Sequence, residues 1–296
     1  FPPMARRAPL NEPEKVIQVI LEDGGVILTG FADPADVNKV NSDSAPYTKV
    51  NDDRALHFLP QQTTRCTRLF GRSDTAREIW LQQKPFLTII NHFLRTVSVP
   101  YEGDKQDQFS TDAILSQAVT MEIGFGAQEQ LLHRDDLIWQ QSHTCQEETG
   151  YKLGSDVGMG LLVPGVDTVE ENGATLFVPR SHLWGDDRRP KREEASAVEL
   201  KKGEALLFLS SAVHAGGANK THVRRPMHGF FFCRSYIRQE ENQYVWWTRE
   251  EVQKWSLEAQ KMAGYVLDGP FMGHTNHHNP IDLFRASDPT IKDEME

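Results

Sequence analysis

The stretch Gln130-Leu-Leu-His133-Arg-Asp135-Asp136 contains the one histidine, out of eleven in this 296-residue chain, that is followed two positions later by a carboxylate. On an extended strand, residues i and i+2 point to the same face, so His133 and Asp135 would project together while Arg134 and Asp136 point away. A third, neutral ligand would complete a 2-His-1-carboxylate face, which leaves other positions of a first-row metal open. The stretch therefore predicts two of the three ligands of a metal site.

A candidate for the third ligand lies about eighty residues downstream. His214 follows the apolar run Ala205–Leu209, and Gly216 and Gly217 let the backbone turn tightly behind it. A histidine just past a buried strand is well placed to face the interior of a barrel. Taken alone, His214 could equally be a hydrogen-bonded core histidine.

Two adjacent arginines, Arg224 and Arg225, begin a very apolar segment that continues with His228-Gly-Phe-Phe-Phe. One of two neighbours on a strand must point inward, and a buried guanidinium is too costly without an anionic partner. The sequence thus predicts an anion inside the fold, about eleven residues past His214.

Short β-rich segments separated by Gly, Pro or charged residues dominate the second half of the chain. Helical patterns do not alternate with them as a parallel α/β sheet would require, so we predict a mostly β fold with flanking helices and a double-stranded β-helix (jelly-roll, cupin-like) core. Residues 1–296 are predicted to form one domain: a helical N-terminal part (10–110), the jelly-roll core (111–237), and a C-terminal helix and tail (238–296) as a candidate lid or dimer contact. The predicted strands are 113–126, 131–135, 157–163, 174–178, 197–200, 205–209 and 228–237.

Helical periodicity and end signals place the helices on either side of this core. Asn11 is predicted to cap a first helix that ends at Gly24-Gly25, and Thr248 to cap a C-terminal one. The other predicted helices are 34–40 and 75–95, the C-terminal helix spans 246–262, and 41–64 is predicted to be irregular.

Composition narrows the class of protein. The net charge of -10 argues against a nucleic-acid partner, because phosphate binding requires a basic face. Three widely separated cysteines suggest neither a disulfide framework nor a zinc knuckle. No apolar run approaches the ~18 residues of a membrane span, so a cytoplasmic protein is expected.

Taken jointly, His133-x-Asp135, His214 and Arg225 resemble the iron(II)/2-oxoglutarate-dependent dioxygenases of the phytanoyl-CoA dioxygenase family, most closely its fungal members that tailor meroterpenoids and alkaloids. The segment Asn172-Gly-Ala-Thr-Leu-Phe-Val-Pro-Arg-Ser-His182 is similar to a family motif, with Arg180 in place of the usual glycine. The resemblance runs from about Pro13 to Phe284.

The resemblance implies Fe(2+) as the cofactor and 2-oxoglutarate and O2 as cosubstrates, with His133, Asp135 and His214 as iron ligands and Arg225 on the distal carboxylate of 2-oxoglutarate. Gln130, Thr175 and Arg72 match further cosubstrate contacts of the family; Arg65 and Arg68 lie close to Arg72 in the sequence. A halogenase of this fold would need a small residue in place of Asp135, so halogenation is disfavoured.

The resemblance also implies a hydrophobic polycyclic secondary metabolite of the fungal meroterpenoid class as substrate, with hydroxylation, desaturation or rearrangement as the outcome, and a homodimer as the assembly. Met121 and Phe231, at inward positions of strands near the metal, and Tyr151, in the loop from Gln140 to Leu153, are candidate substrate residues. Plain core packing is the alternative explanation for each of them. The alternatives are an acyl-CoA or small-acid hydroxylase of the same family, and a jelly-roll metal-binding protein or hydrolase without oxidative activity. Arg225 discriminates against the hydrolase, which would not need an internal arginine for a dicarboxylate.

Overall fold

A computed structural model describes residues 4–50 and 62–285, so residues 51–61 of the predicted irregular segment lie outside it. In these ranges the strands are β1 (Arg7–Pro9), β2 (Gly25–Thr29), β3 (Lys49–Val50), β4 (Thr63–Thr67), β5 (Thr96–Ser98), β6 (Tyr101–Glu102), β7 (Lys105–Gln106), β8 (Phe109–Thr111), β9 (Ile114–Ile123), β10 (Gly158–Pro164), β11 (Thr175–Phe177), β12 (Ser196–Val198), β13 (Ala205–Leu209), β14 (His214–Ala215) and β15 (Arg225–Cys233).

The helices lie before and after the long strands. They are α1 (Pro13–Asp23), α2 (Pro34–Ser44), α3 (Leu69–Arg72), α4 (Lys84–Leu94), α5 (Gln243–Trp246), α6 (Arg249–Val252), α7 (Leu257–Met262) and α8 (Pro280–Arg285), with a π-helical turn at Thr75–Trp80 and a 3-10 helix at Asp135–Trp139.

Two sheets form the centre of the molecule. The larger has eight strands among the described residues, in the order β1-β2-β13-β10-β15-β9-β4-β3, and the smaller has the order β12-β11-β14. The long strands β9, β10, β13 and β15 pair antiparallel, and β13 is buried along its whole length. Such an apolar run is expected of a strand that is covered on both faces.

Alternating side chains of the larger sheet enter two different hydrophobic layers. One layer, which we call the inner cluster, lies between the two sheets; it consists of Ile27, Leu162, Phe177, Val198, Leu200, Leu206, Phe208, Ala212 and Met227. The other layer packs the helices against the opposite face, where Trp80 contacts Phe230 edge to face and Phe86 contacts Phe232. We call these two faces of the larger sheet the inner face and the outer face.

The predicted mostly β fold with a jelly-roll core and flanking helices is confirmed, and several helix boundaries are wrong. The cap of α1 is Glu12 rather than Asn11, because Pro13 already fixes the first helical residue. α2 continues to Ser44 instead of ending at Val40. The predicted helix 75–95 divides into the π-helical turn and α4, because the backbone is extended at Gln83 and Pro85 is suited to the first turn of a new helix.

The predicted C-terminal helix is three short ones, α5, α6 and α7. Thr248 caps α6 as predicted: its side chain accepts a hydrogen bond from Glu251 N–H, and the Glu251 side chain accepts one from the backbone of Thr248. Ser256 caps α7 in the same way, which divides the predicted helix again. In the part of the chain that the structure describes, no helix is long and apolar enough to cross a membrane.

Candidate metal and cosubstrate site

His133, Asp135 and His214 meet at one end of the space between the sheets. His133 and His214 form a single antiparallel bridge, in which each backbone N–H donates to the carbonyl of the other at 2.9 Å. Residues 131–135 are therefore not the predicted strand, and Asp135 begins the 3-10 helix instead. The carboxylate of Asp135 lies 3.7 Å from His133 Nε2 and 3.4 Å from His214 Nε2. The candidate ligand atoms are all within 4.8 Å of one another, as a shared metal ion requires.

Hydrogen bonds to backbone carbonyls orient both imidazole rings. His133 Nδ1 lies 2.8 Å from the carbonyl oxygen of Leu131, and His214 Nδ1 lies 3.1 Å from that of Ala212. A proton on Nδ1 serves these contacts and leaves the Nε2 lone pair facing Asp135. Metal-binding histidines are commonly held by such a contact on the second ring nitrogen.

The charges of the three side chains are coupled. Burial lowers the pKa of His133, and the neighbouring His214 lowers it further. Burial opposes the charged form of Asp135, but His214 and then His133 outweigh it and bring its pKa below the ordinary value. Burial also opposes protonation of His214, yet Asp135 raises the pKa of that imidazole overall. An ionised carboxylate against two imidazoles is the donor set that fits a divalent first-row metal.

Arg225 is the buried cation that the sequence predicts. It is 2% exposed, its Nε donates to the backbone carbonyl of Asn172 at 3.2 Å, and burial lowers the pKa of its guanidinium to about 10. Among the described residues, no acidic side chain forms an ion pair with it. Arg224 points the other way and pairs with Glu122 at 3.0 Å on the surface. A buried guanidinium that lacks an acidic partner fits the carboxylate of a bound dicarboxylic acid.

Gln130 and Thr175 also lie beside this space. Gln130 N–H donates to the carbonyl of Gly216 at 2.9 Å, and Gly216 N–H donates back to Gln130 Oε1 at 2.7 Å. A Cβ on residue 216 would lie only 2.7 Å from that Oε1, so glycine is required for this close approach. Thr175 is buried on β11 and shares the face of Phe177, a member of the inner cluster.

Arg72 does not lie on the inner face. Its guanidinium is 4.0 Å from the ring centroid of Tyr47, and its Nη1 is 3.4 Å from Cys66 Sγ. Cys66 lies opposite Thr120 in the β4–β9 strand pair, and the Thr120 hydroxyl contacts His228 on the outer face. The structure therefore does not bring Arg72 together with Arg225, because the larger sheet lies between them.

Arg65 lies on the inner face instead. It pairs with Met121, and Met121 in turn pairs with Met227 of the inner cluster. Partners that lie directly opposite each other in an antiparallel sheet share a face. Strand register thus places Arg65, and not Arg72, on the inner face of the larger sheet.

Of the three candidate substrate residues, the structure brings Met121 and Phe231 to the inner cluster. Tyr151 lies elsewhere: it packs against the helical layer and Phe93, and its hydroxyl donates to Asp156 at 2.7 Å. The loop that carries Tyr151 therefore uses this side chain for anchoring rather than for lining the inner face.

Three glycines of the larger sheet let aromatic rings lie flat on its inner face. A Cβ on residue 158 would meet the Trp139 ring at 2.6 Å, one on residue 160 would overlap the Phe208 ring, and one on residue 229 would meet the Phe231 ring at 3.0 Å. Phe208 in turn packs on His214, with ring centroids 4.6 Å apart. The rings thus form an apolar wall beside the candidate ligands, of which His214 is buried and His133 and Asp135 are half-buried.

The sequence did not indicate two polar pairs near the site. Asp136 points away from the three ligands, as predicted, but it is buried against His143 at 3.2 Å. Gln117, opposite Phe231 on the inner face, donates to Glu240 at 3.0 Å. In each pair one partner, His143 or Glu240, lies in an irregular segment, for which no residue spacing could have served as a signal.

Comparison with known proteins adds the family. The family model described as phytanoyl-CoA dioxygenase matches residues 20–227. Dioxygenase swnH1 of Metarhizium robertsii is 31% identical, over 93% of this chain and 90% of that protein. Dioxygenase cnsJ of Penicillium expansum is 30% identical, over 90% of this chain and 80% of that protein.

Two solved structures support the fold. The epimerase SnoN from nogalamycin biosynthesis, described as non-haem and α-ketoglutarate-dependent, has a TM-score of 0.57 and 16% identity, covering 79% of this chain and 89% of its own. HygX from Streptomyces hygroscopicus, solved with nickel and 2-oxoglutarate bound, has a TM-score of 0.54 and 14% identity, covering 76% and 88%. Because the family model spans most of the chain and the relatives match nearly all of it, the chain belongs to the phytanoyl-CoA dioxygenase family of iron(II)/2-oxoglutarate-dependent dioxygenases.

Proposed function

We propose that His133, Asp135 and His214 bind the iron(II) ion and that Arg225 binds the distal carboxylate of 2-oxoglutarate. The observation that carries this proposal is Arg225: it is buried with no acidic partner among the described residues, in a protein whose family uses a dicarboxylate. A charge left in this state is costly, and a bound carboxylate would relieve the cost.

Gln130 and Thr175 are proposed as further cosubstrate contacts. Gln130 Oε1 is engaged by Gly216 N–H, which orients the side-chain NH2 group as a donor beside His214. The hydroxyl of Thr175 faces the same space from the smaller sheet. When bound, iron(II) and 2-oxoglutarate supply the oxidising chemistry that acts on an unactivated carbon. The protein's own part is to orient the reactants and to keep water out.

The substrate is proposed to be a hydrophobic polycyclic secondary metabolite of the fungal meroterpenoid class, which the enzyme hydroxylates, desaturates or rearranges. Large apolar side chains are exposed on the segment that carries the ligands: Leu131 is 89% exposed, Leu137 59% and Ile138 43%. Exposed apolar groups grouped in this way are typical of a binding surface. The structural relatives SnoN and SnoK are an epimerase and a carbocyclase of nogalamycin biosynthesis, which supports a complex natural product as the substrate.

A homodimer is proposed as the assembly. The C-terminal segment exposes Val245 at 82%, Trp246 at 58% and Phe271 at 75%, and such apolar exposure is usual where a partner covers the surface. Light scattering after gel filtration should give twice the 33.6 kDa of the chain. A mass of one chain at micromolar concentration would contradict the proposal.

Anaerobic spectroscopy tests the site. Adding iron(II) and 2-oxoglutarate to the full-length protein should produce the weak visible charge-transfer band of a chelated keto-acid. Arg225→Gln should weaken 2-oxoglutarate binding by at least ~30-fold, the cost of removing one partner of a buried charge pair. Arg224→Gln is the matched control and should stay within ~3-fold, because its ion pair is exposed. Bound iron without the band, or equal effects of the two variants, would contradict the proposed site.

A further inference from the structure

Four side chains form a closed polar ring behind the proposed ligand Asp135. Arg134 Nη1 donates to Asp186 Oδ1 at 3.0 Å, and Asp186 Oδ2 accepts the backbone N–H of His143 at 2.9 Å. His143 Nε2 lies 3.2 Å from the Asp136 carboxylate. These contacts therefore connect the side chain of residue 134 to that of residue 136, and the backbone through residue 135 closes the ring. We call these four residues the rear ring.

The rear ring brackets Asp135 on both sides. Arg134 and Asp136 point away from the three ligands, since the Arg134 guanidinium reaches Asp186 and the Asp136 carboxylate reaches His143. The backbone between them is fixed as well, since Asp135 N–H donates to the carbonyl of Ser210 at 3.0 Å. The backbone that carries Asp135 is thus held at its own N–H and through both neighbouring residues.

The part of the rear ring nearest Asp135 is shielded from water. Asp136 is 1% exposed and the His143 side chain 8%, whereas the Asp186 side chain is 54% exposed. Arg134 Nη2 also donates to the carbonyls of Ser181 and Trp184. Removing one member of a buried hydrogen-bonded pair is expensive, so the Asp136–His143 contact holds its geometry more firmly than a surface pair would.

His143 belongs to the loop from Gln140 to Leu153. This loop is also held by Tyr151, whose hydroxyl donates to Asp156, by the Gln146 N–H to the Leu183 carbonyl, and by the exposed ion pair of Glu147 with Arg188. Through its imidazole, His143 connects this loop to Asp136, the residue that follows the proposed ligand Asp135. Its displacement would move Asp136, and Asp136 is covalently joined to Asp135.

We propose that the rear ring positions Asp135 for iron(II), with Asp136 and His143 as positioning residues, and that His143 couples the 140–153 loop to the metal site. This inference rests on the proposed ligand set. It implies that contacts which move this loop change both the affinity for iron(II) and the geometry of the open coordination positions. Partners behind the ligands typically change metal affinity by 10–100-fold when they are lost.

Three variants of the full-length protein test the ring. His143→Phe opens it, and should raise the dissociation constant for iron(II) by about 10-fold or more and shift the charge-transfer band with 2-oxoglutarate. Asp136→Asn keeps an acceptor for His143 and should lie much closer to the wild type. Glu147→Gln breaks only the exposed pair of the same loop and should leave iron(II) affinity and the band unchanged.

Iron(II) affinity is measured by anaerobic titration of tryptophan fluorescence, and circular dichroism of the metal-free protein checks folding. If His143→Phe does not fold, Asp186→Ala opens the ring at its exposed side and should weaken iron(II) binding several-fold. Wild-type affinity and an unshifted band in a folded ring-opening variant would overturn the inference. A wild-type protein without the band would instead contradict the proposed function, so the two failures are distinguishable.

Discussion

Gly160 shows how one missing side chain shapes the site. It lies on β10, and an added Cβ would overlap the ring of Phe208, which is fully buried and packs on His214. Gly160→Ala should therefore destabilise the protein by about 1–3 kcal/mol through overpacking. Urea unfolding measures the change. Gly229→Ala is the control and should cost less, because its nearest neighbour, the Phe231 ring, is 3.0 Å away on a partly exposed side chain; the reverse order would contradict the packing argument.

His228 makes stability depend on pH. It lies on the outer face, where its Nδ1 is 2.8 Å from the Thr120 hydroxyl and its Nε2 is 2.9 Å from Asn41 Oδ1; burial lowers its pKa to about 3. Because the folded-state pKa lies below the unfolded value of about 6.5, the folded state binds the proton less well. The contribution of neutral His228 to the free energy of unfolding is complete above pH ~6.5, the unfolded pKa. It is lost as pH falls from there toward 3, by up to ~1.4 kcal/mol per pH unit.

His228→Asn should therefore be less stable than the wild type at pH 7.5, and the difference should shrink at pH 6 and again at pH 5. Urea unfolding at the three pH values measures it. The control His222→Asn changes an exposed histidine that stacks on Phe125, and its difference from the wild type should not vary in this way. Parallel stability curves for His228→Asn and the wild type would show that this imidazole does not titrate on unfolding.

Residue spacing predicted His133 and Asp135 as a pair and one inward arginine at Arg224 or Arg225, whereas the family resemblance was needed to add His214 and to choose Arg225. Arg72 is a residue whose position could not be predicted from the sequence in this way. Which of Arg65, Arg68 and Arg72 reaches the inner face depends on where β4 begins and ends, and β4 pairs with a strand more than fifty residues away. Strand register of that kind is fixed by packing, not by local composition.

At the scale of elements, the C-terminal helices depend on their caps. α6 and α7 are short, and isolated helices of this length are unstable in water without tertiary contacts. Thr248→Ala removes the capping box of α6 and should lower stability by about 1 kcal/mol. Ser42→Ala is the control: within residues 4–50 and 62–285 the Ser42 hydroxyl bonds only to the Asn38 carbonyl of the same helix α2, so its loss should be neutral. Equal unfolding midpoints for the two variants would contradict the role of the cap.

These caps also explain why the predicted helix boundaries were wrong. Periodicity across residues 246–262 is continuous, so the sequence indicates one helix, but Ser256 starts a new one. Its turn is stabilised by tertiary contacts such as that of Trp255 with Phe70, ring centroids 5.4 Å apart. Helical periodicity predicts which face is buried, and long-range packing decides where the chain bends.

At the scale of the whole molecule, the site is assembled from segments that are distant in sequence. His133 and Asp135 follow β9, His214 forms β14, and Arg225 starts β15, so the two sheets must close before the ligands meet. The strand pattern was sufficient to predict that closure. The rear ring was not predictable, because residues 134, 136, 143 and 186 meet only through loops whose conformations are not periodic.

Ligand binding should stabilise the whole fold through this closure. A ligand that binds only the native state adds RT ln(1 + [L]/Kd), or about 2.7 kcal/mol at one hundred times its Kd. Iron(II) with 2-oxoglutarate should raise the anaerobic melting temperature of the wild type, and a chelator added before heating should abolish the rise. In Arg225→Gln the rise due to 2-oxoglutarate should be lost, while the rise due to iron(II) alone persists, because the variant keeps all three proposed ligands. An undiminished response to 2-oxoglutarate in Arg225→Gln would mean that the dicarboxylate binds elsewhere.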